Sequence, residues 1–78
     1  MKLSQRIAAL EVYRVKHSKT GKIYTIRGVA EHTETGELMV IYARDDKGLK
    51  LWVRPLAMFD DLVEVDGEMV PRFVENFL

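Results

Sequence analysis

The side chains able to do chemistry are few in this 78-residue chain: it has no cysteine, two histidines and a single tryptophan. Disulfides, thiolate nucleophiles and thiolate metal sites are therefore excluded. It also contains no Gly-x-Ser-x-Gly, phosphate loop or dinucleotide glycine fingerprint. His17 and His32 fall at opposite ends of one long hairpin, on the order of 30 Å apart on straight strands, too far to share a metal. No catalytic residue, metal or cofactor is expected. One group has the right types for a ligand: His32, Glu37, Met39, Trp52 and Arg54, expected together at one end of a sheet. A flat aromatic, a cation, a titratable imidazole and a carboxylate beside apolar groups could form a shallow site for a polar ligand or a protein partner. The plain alternative is an Arg54–Glu37 ion pair with Trp52 in the core. Any enzymatic role would fall to His32, oriented by Glu37.

A second group is electrostatic. Net charge is zero, yet up to Ala30 seven basic residues face one acid, a net +6, and from Glu31 onward five face eleven acids, a net −6. Arg14, Lys16, Lys19, Lys22 and Arg27 belong to the first hairpin with no acid among them, so nucleic-acid contact there is the alternative reading. Stacking aromatics are missing from that face, because Tyr13 and Tyr24 are expected to point the other way. The acidic run Asp60, Asp61, Glu64, Asp66 and Glu68 reads as a solvated edge that discourages aggregation.

The elements that must position these groups are mostly strands. Leu3, Ile7, Ala8 and Leu10 follow Ser4 at near-helical spacing, predicting a short helix capped by Ser4. From Leu10 the period changes to two. Turn signals at Ser18–Gly21, Thr33–Gly36, Asp45–Gly48 and Asp66-Gly67 then divide the chain into an antiparallel meander. Its strands are expected near residues 11–17, 22–32, 38–44, 49–54, 62–65 and 68–72. Gly28 inside the long second strand marks a bulge or bend, and Pro55 precedes one helical turn at Leu56–Phe59. The expected fold is mainly β: a small SH3-like barrel of five to six strands, with a short N-terminal helix and one helical turn before the last strands. One domain spans 1–78, with a helix or arm over 1–10, the barrel over 11–72 and an apolar tail over 73–78.

If each four-residue signal is a whole loop, His17 faces Lys22, His32 faces Glu37 and Arg44 faces Leu49. Tyr13, Val15, Tyr24 and Ile26 then share a core face. In the middle of the meander Val29, Leu38, Val40, Tyr42, Leu51 and Val53 share one face, while Ala30, Met39, Ile41 and Trp52 share the other. Both faces are apolar there, and antiparallel sheets normally leave one wet. The second face must be covered by the chain's termini or by a partner. Helical spacing of Phe73, Val74, Phe77 and Leu78 also offers an apolar stripe for homo-oligomerisation.

Tyr13-x-x-x-His17, Gly21-Lys22 followed by Tyr24, Ala30-x-His32-x-Glu34-Thr35, Val40-x-Tyr42, Trp52-Val53-Arg54-Pro55, Met58-Phe59 and Pro71-Arg72-Phe73 together resemble a small bacterial family, catalogued as domain of unknown function 1653. The resemblance spans Tyr13 to Phe73 and departs at the first turn, where Ser18-Lys19-Thr20 separate His17 from Gly21. It implies a compact β-rich fold and brings no activity, substrate or cofactor. No run approaches the roughly 18–20 apolar residues that cross a bilayer, and no signal peptide opens the chain, so a cytoplasmic protein without membrane contact is expected. The function expected is a non-enzymatic binding module contacting a protein or small ligand through the Trp52 and Arg54 end of the sheet.

Overall fold

The computed structural model describes residues 1–48 and 50–77. Helix α1 (Leu3–Ala8) is followed by strands β1 (Arg14–His17), β2 (Ile23–Glu31) and β3 (Leu38–Arg44), a 3-10 turn (Asp45–Lys47), β4 (Leu51–Pro55), a second 3-10 turn (Leu56–Asp60), and β5 (Leu62–Val65), β6 (Glu68–Pro71) and β7 (Phe73–Glu75). Two antiparallel sheets result, one of five strands in the order β4-β3-β2-β1-β7 and one made of the β5-β6 hairpin. The fold is therefore mainly β, as expected, with seven strands among the described residues. The sheets do not close into one hydrogen-bonded barrel.

The first two hairpins pair as their turn chemistry dictates. Val15 faces Tyr24, and Ala30 faces Met39. The register of β2 on β3 shifts between Ile26 and Gly28, a bulge with Arg27 as the extra residue. The third hairpin differs. Its connection makes a 3-10 turn, with Gly48 at φ 63°, and pairing resumes with Ala43 opposite Leu51 and Tyr42 opposite Trp52. The expected Arg44 partner, Leu49, lies outside the described residues. Expected and observed register differ by one residue. A one-residue slip turns every side chain of β4 over: Trp52 and Arg54 now share a face with Tyr42 and Val40, while Leu51 and Val53 turn outward with Met39 and Ile41.

The core consists of Ile7, Val12, Val15, Ile26, Val40, Tyr42, Phe59 and Phe73, with Leu3, Tyr24, Val29, Trp52 and Leu56 packed against it. Both termini thus close the first apolar face, not the second. Helix α1 starts two residues earlier than expected, with Lys2 rather than Ser4 at its N-cap. Ser4 instead donates its N–H and hydroxyl to the Asp60 carboxylate at 3.0 and 2.5 Å, pinning the helix to the second 3-10 turn. Arg6 holds Glu75 of β7 at 2.6 Å. The tail expected from Phe73 onward begins as a strand: Phe73 is buried and Val74 exposed, so the helical stripe does not form. Phe77 is exposed, and Leu78 lies outside the described residues. Tyr13 is also exposed, because the chain entering β1 buries Val12 instead.

On the outer face Leu51 and Val53 are 55% and 59% exposed. Phe59 lies 1% exposed against Tyr42 and Phe73. Replacing Phe59 with alanine should lower the unfolding free energy by about 3–5 kcal/mol, and Val53→Ala should change it by less than about 0.5 kcal/mol. Urea unfolding of both variants checks the register. A large loss at Val53 would contradict an outward-facing β4 side chain.

Candidate functional site

The register of β4 gathers a row of rings over the open side of the core. Tyr24 and Tyr42 meet edge to face at 5.4 Å, Tyr42 and Trp52 lie nearly parallel at 6.3 Å, and Tyr24 abuts Phe73 at 5.9 Å. Arg54 runs across this row and places its guanidinium carbon 5.5 Å from the Phe73 ring centre. The Lys50 ammonium sits 5.1 Å from the centre of the Trp52 ring. Tyr24, Tyr42, Arg44, Trp52 and Arg54 enclose a recess of about 250 Å³. Every polar group in that lining is a hydroxyl, an indole N–H or a guanidinium, so the wall can donate hydrogen bonds and carries no carboxylate.

Arg44 is held by Asp46 at 2.5 Å, and that bond pulls the Asp46 carboxyl below the usual aspartate range. Arg54 and Arg72 form no ion pair among the described residues. The Arg72 Nε is buried without a hydrogen-bond partner. His17 packs edge-on against Phe73 at 5.2 Å. Its Nδ1 accepts the N–H groups of Lys19 at 3.2 Å and Thr20 at 3.4 Å. Partial burial, and then the charges of Arg72, Arg54 and Lys19, push the imidazole below its ordinary value.

A larger cleft of about 440 Å³ lies between α1, the second 3-10 turn and the β5-β6 hairpin. Of its charged rim groups, Arg6 is engaged with Glu75 and Asp60 with Ser4, and its walls are mainly apolar. The donor-lined recess is the better candidate for a polar ligand.

The sequence profile of a family described as "Protein of unknown function (DUF1653)" matches residues 11–75. The chain belongs to the DUF1653 family. The crystal structure of a DUF1653 protein from Bordetella bronchiseptica is similar in fold, with a TM-score of 0.70 and 28% identity over 83% of this chain and 85% of that one. No curated protein matches significantly.

The five residues expected to meet in this DUF1653 chain are divided by the structure. Trp52 and Arg54 line the recess. Met39 faces Pro55 on the opposite side of the sheet, where the corrected register leaves it. His32 is exposed at the hairpin tip and uses Nδ1 to accept the Glu34 N–H at 3.1 Å, which shapes the turn. Glu37 belongs to a separate recess beside Lys2, Ser4 and Asp60. Neither an Arg54–Glu37 nor a His32–Glu37 ion pair is present among the described residues.

The cations of the first hairpin are not free of acids either. The 3-10 turn after β3 lays Asp45 against Arg14 and Thr25, and Asp46 within 3.5 Å of Lys22. Lys16, Lys19 and Arg27 remain exposed. Sequence spacing does not mark Tyr24, Tyr42, Arg44, Arg72 and His17 as site residues: Tyr24 and Tyr42 carry the pattern of core residues, as they also prove to be, and the link from Arg72 and His17 to the recess runs through Phe73, which spacing alone does not reveal.

The lowered His17 value has a sign that can be measured. Folding favours the neutral ring, so this contribution is complete above the ordinary histidine value and is lost as pH falls through the lowered folded value. Between about pH 7 and 5.5 the urea midpoint of the wild type should fall more than that of His17→Asn, whose amide oxygen can still accept the turn N–H groups. Equal slopes would contradict the burial and repulsion at His17.

Proposed function

We propose that this DUF1653 domain is a non-enzymatic binding module whose recess takes an anionic group carried on a flat body. The observation that carries this reading is Arg54, a cation with no acid partner among the described residues, lying along the ring row of Tyr42, Trp52 and Phe73. Desolvating an unpaired guanidinium over aromatic rings is unfavourable unless an anion or water completes its hydrogen bonds. The rings supply apolar area for a planar group. At about 250 Å³ the recess falls below the roughly 300–1,000 Å³ typical of sites for drug-sized molecules, which favours one ring with one charged group over an extended cofactor. The first-hairpin nucleic-acid reading has less support, since Asp45 and Asp46 offset Arg14 and Lys22.

The single tryptophan of the chain lies in this recess, so intrinsic fluorescence reports on it alone. Titration with a panel of aromatic carboxylates, aromatic sulfonates and nucleotides should give a saturable change with at least one class. Arg54→Gln should weaken that binding roughly 10- to 100-fold, the range of a lost charge-assisted hydrogen bond, while the melting temperature stays close to wild type. Absence of any saturable change across all three classes would overturn the binding reading.

A further inference from the structure

Resting on that reading, we propose that the anionic group is a phosphate, bound where Arg54 and His17 meet over Phe73 with Arg72 close by, and that the ligand is a single nucleotide unit whose base lies on the accessible side of the Trp52 ring. Phe73 is the hinge of the geometry. The His17 ring lies 5.2 Å from it and the Arg54 guanidinium 5.5 Å, while Tyr24, at 5.9 Å from the same ring, continues into the recess wall. Arg72 directly precedes Phe73 in the chain, and its charge is felt by His17. Its Nε is buried without a hydrogen-bond partner, which leaves the two terminal nitrogens of the guanidinium as the donors an anion could meet.

The donor inventory decides between phosphate and a simpler anion. The Nδ1 of His17 is committed to the N–H groups of Lys19 and Thr20, so the neutral ring carries its proton on Nε2 and is a donor there. Two guanidinium forks, one imidazole N–H and the nearby Lys19 charge exceed what a carboxylate with two oxygens can use. A phosphate offers three oxygens and close to two negative charges, and it matches guanidinium forks bidentately. Among the described residues no carboxylate forms an ion pair with Arg54, Arg72 or Lys19. Beside the cations, Trp52 is half-buried, backed by the buried Tyr42 ring lying near-parallel to it, and its accessible side is a surface on which a base can stack with little regard to its identity. The small recess admits one such ring.

Free nucleotide and the nucleotide of a single strand present the same chemistry, and the test separates them. The full chain is titrated with adenosine 5′-monophosphate, uridine 5′-monophosphate, adenosine, inorganic phosphate, benzoate and a short single-stranded oligonucleotide, read by Trp52 fluorescence and by NMR titration of His17. Both monophosphates should quench Trp52 saturably and raise the His17 pKa, because the phosphate charge offsets those of Arg54 and Arg72. Inorganic phosphate should raise the His17 pKa without quenching Trp52, and adenosine should bind at least tenfold more weakly than its monophosphate. Arg72→Gln should reduce nucleotide affinity about tenfold with unchanged melting. Tighter binding of the oligonucleotide assigns the site to a strand, and equal or weaker binding assigns it to the free nucleotide; both support a phosphate site. If benzoate binds and the monophosphates do not, the phosphate assignment falls while the anion-binding module stands. If nothing binds, both fall. Adenosine binding as tightly as its monophosphate would also overturn the assignment.

Discussion

Pairing of β4 with β3 decides which side chains line the recess, and that pairing is set by the six residues between Arg44 and Leu51. The stretch opens as a 3-10 turn whose acids reach back, Asp46 to Arg44 and Lys22, Asp45 to Arg14 and Thr25. These contacts fold the connection down onto the first hairpin. Strand β4 then begins one residue later than a bare four-residue loop would allow, with Leu51 opposite Ala43. Because side chains alternate with a period of two, that single residue moves Trp52 and Arg54 inward and Leu51 and Val53 outward. Without it the ring row over Phe73 would have no Trp52, and Arg54 would point to solvent beyond Met39.

The same acids shape the electrostatics. Asp45 and Asp46 offset part of the positive half of the chain at the first hairpin, but they reach neither Arg54 nor Arg72. Acids on the other side are spent on architecture: Asp60 binds Ser4 and Glu75 binds Arg6, which fastens α1 to the second 3-10 turn and to β7. What is left around Phe73 is a group of cations without carboxylates, in a place where partial burial weakens screening. Like charges are not gathered this way by packing alone, since apolar residues of similar size would fill the space with less repulsion. The proposed anion site rests on this arrangement.

Much of the fold was legible because its signals are local. Turn residues at 18–21, 33–36 and 66–67, with positive φ at Gly21, Gly36, Asp66 and Gly67, set three hairpins in the register that loop length predicts. The bulge beside Gly28 was legible for the same reason. Two things were not local. The 45–50 connection carries the same turn-forming residues as a tight loop, and its extra length depends on side chains reaching to Arg14, Lys22 and Thr25 across the sheet. The tail from Phe73 has helical spacing, yet β1 offers it an edge to pair with, Lys16 to Val74 and His17 to Phe73, and a hydrogen-bonded edge outcompetes a helix too short to be stable alone. The candidate site was half legible for the same reasons. Trp52 and Arg54 survive a register error because they sit two apart on one strand and turn over together, whereas Met39, His32 and Glu37 were tied to them only through the misread pairing.

Two sheets that do not close give the recess its opening. In a closed barrel the core face of β4 would be sealed by a neighbour, and Trp52 would be an ordinary core residue. Here β4 is the free edge of the five-stranded sheet and the β5-β6 hairpin forms a separate sheet, so while Phe59 and Phe73 cover Tyr42 and Tyr24, Trp52 on the edge strand stays half-buried beside Arg54, Arg44 and Lys50. Long cationic side chains can lie along apolar surface while keeping their heads in water. Arg54 and Lys50 lie in this way against the Phe73 and Trp52 rings, while Arg44 is fixed by Asp46. The open edge is thus also what leaves Trp52 half-buried rather than sealed in the core.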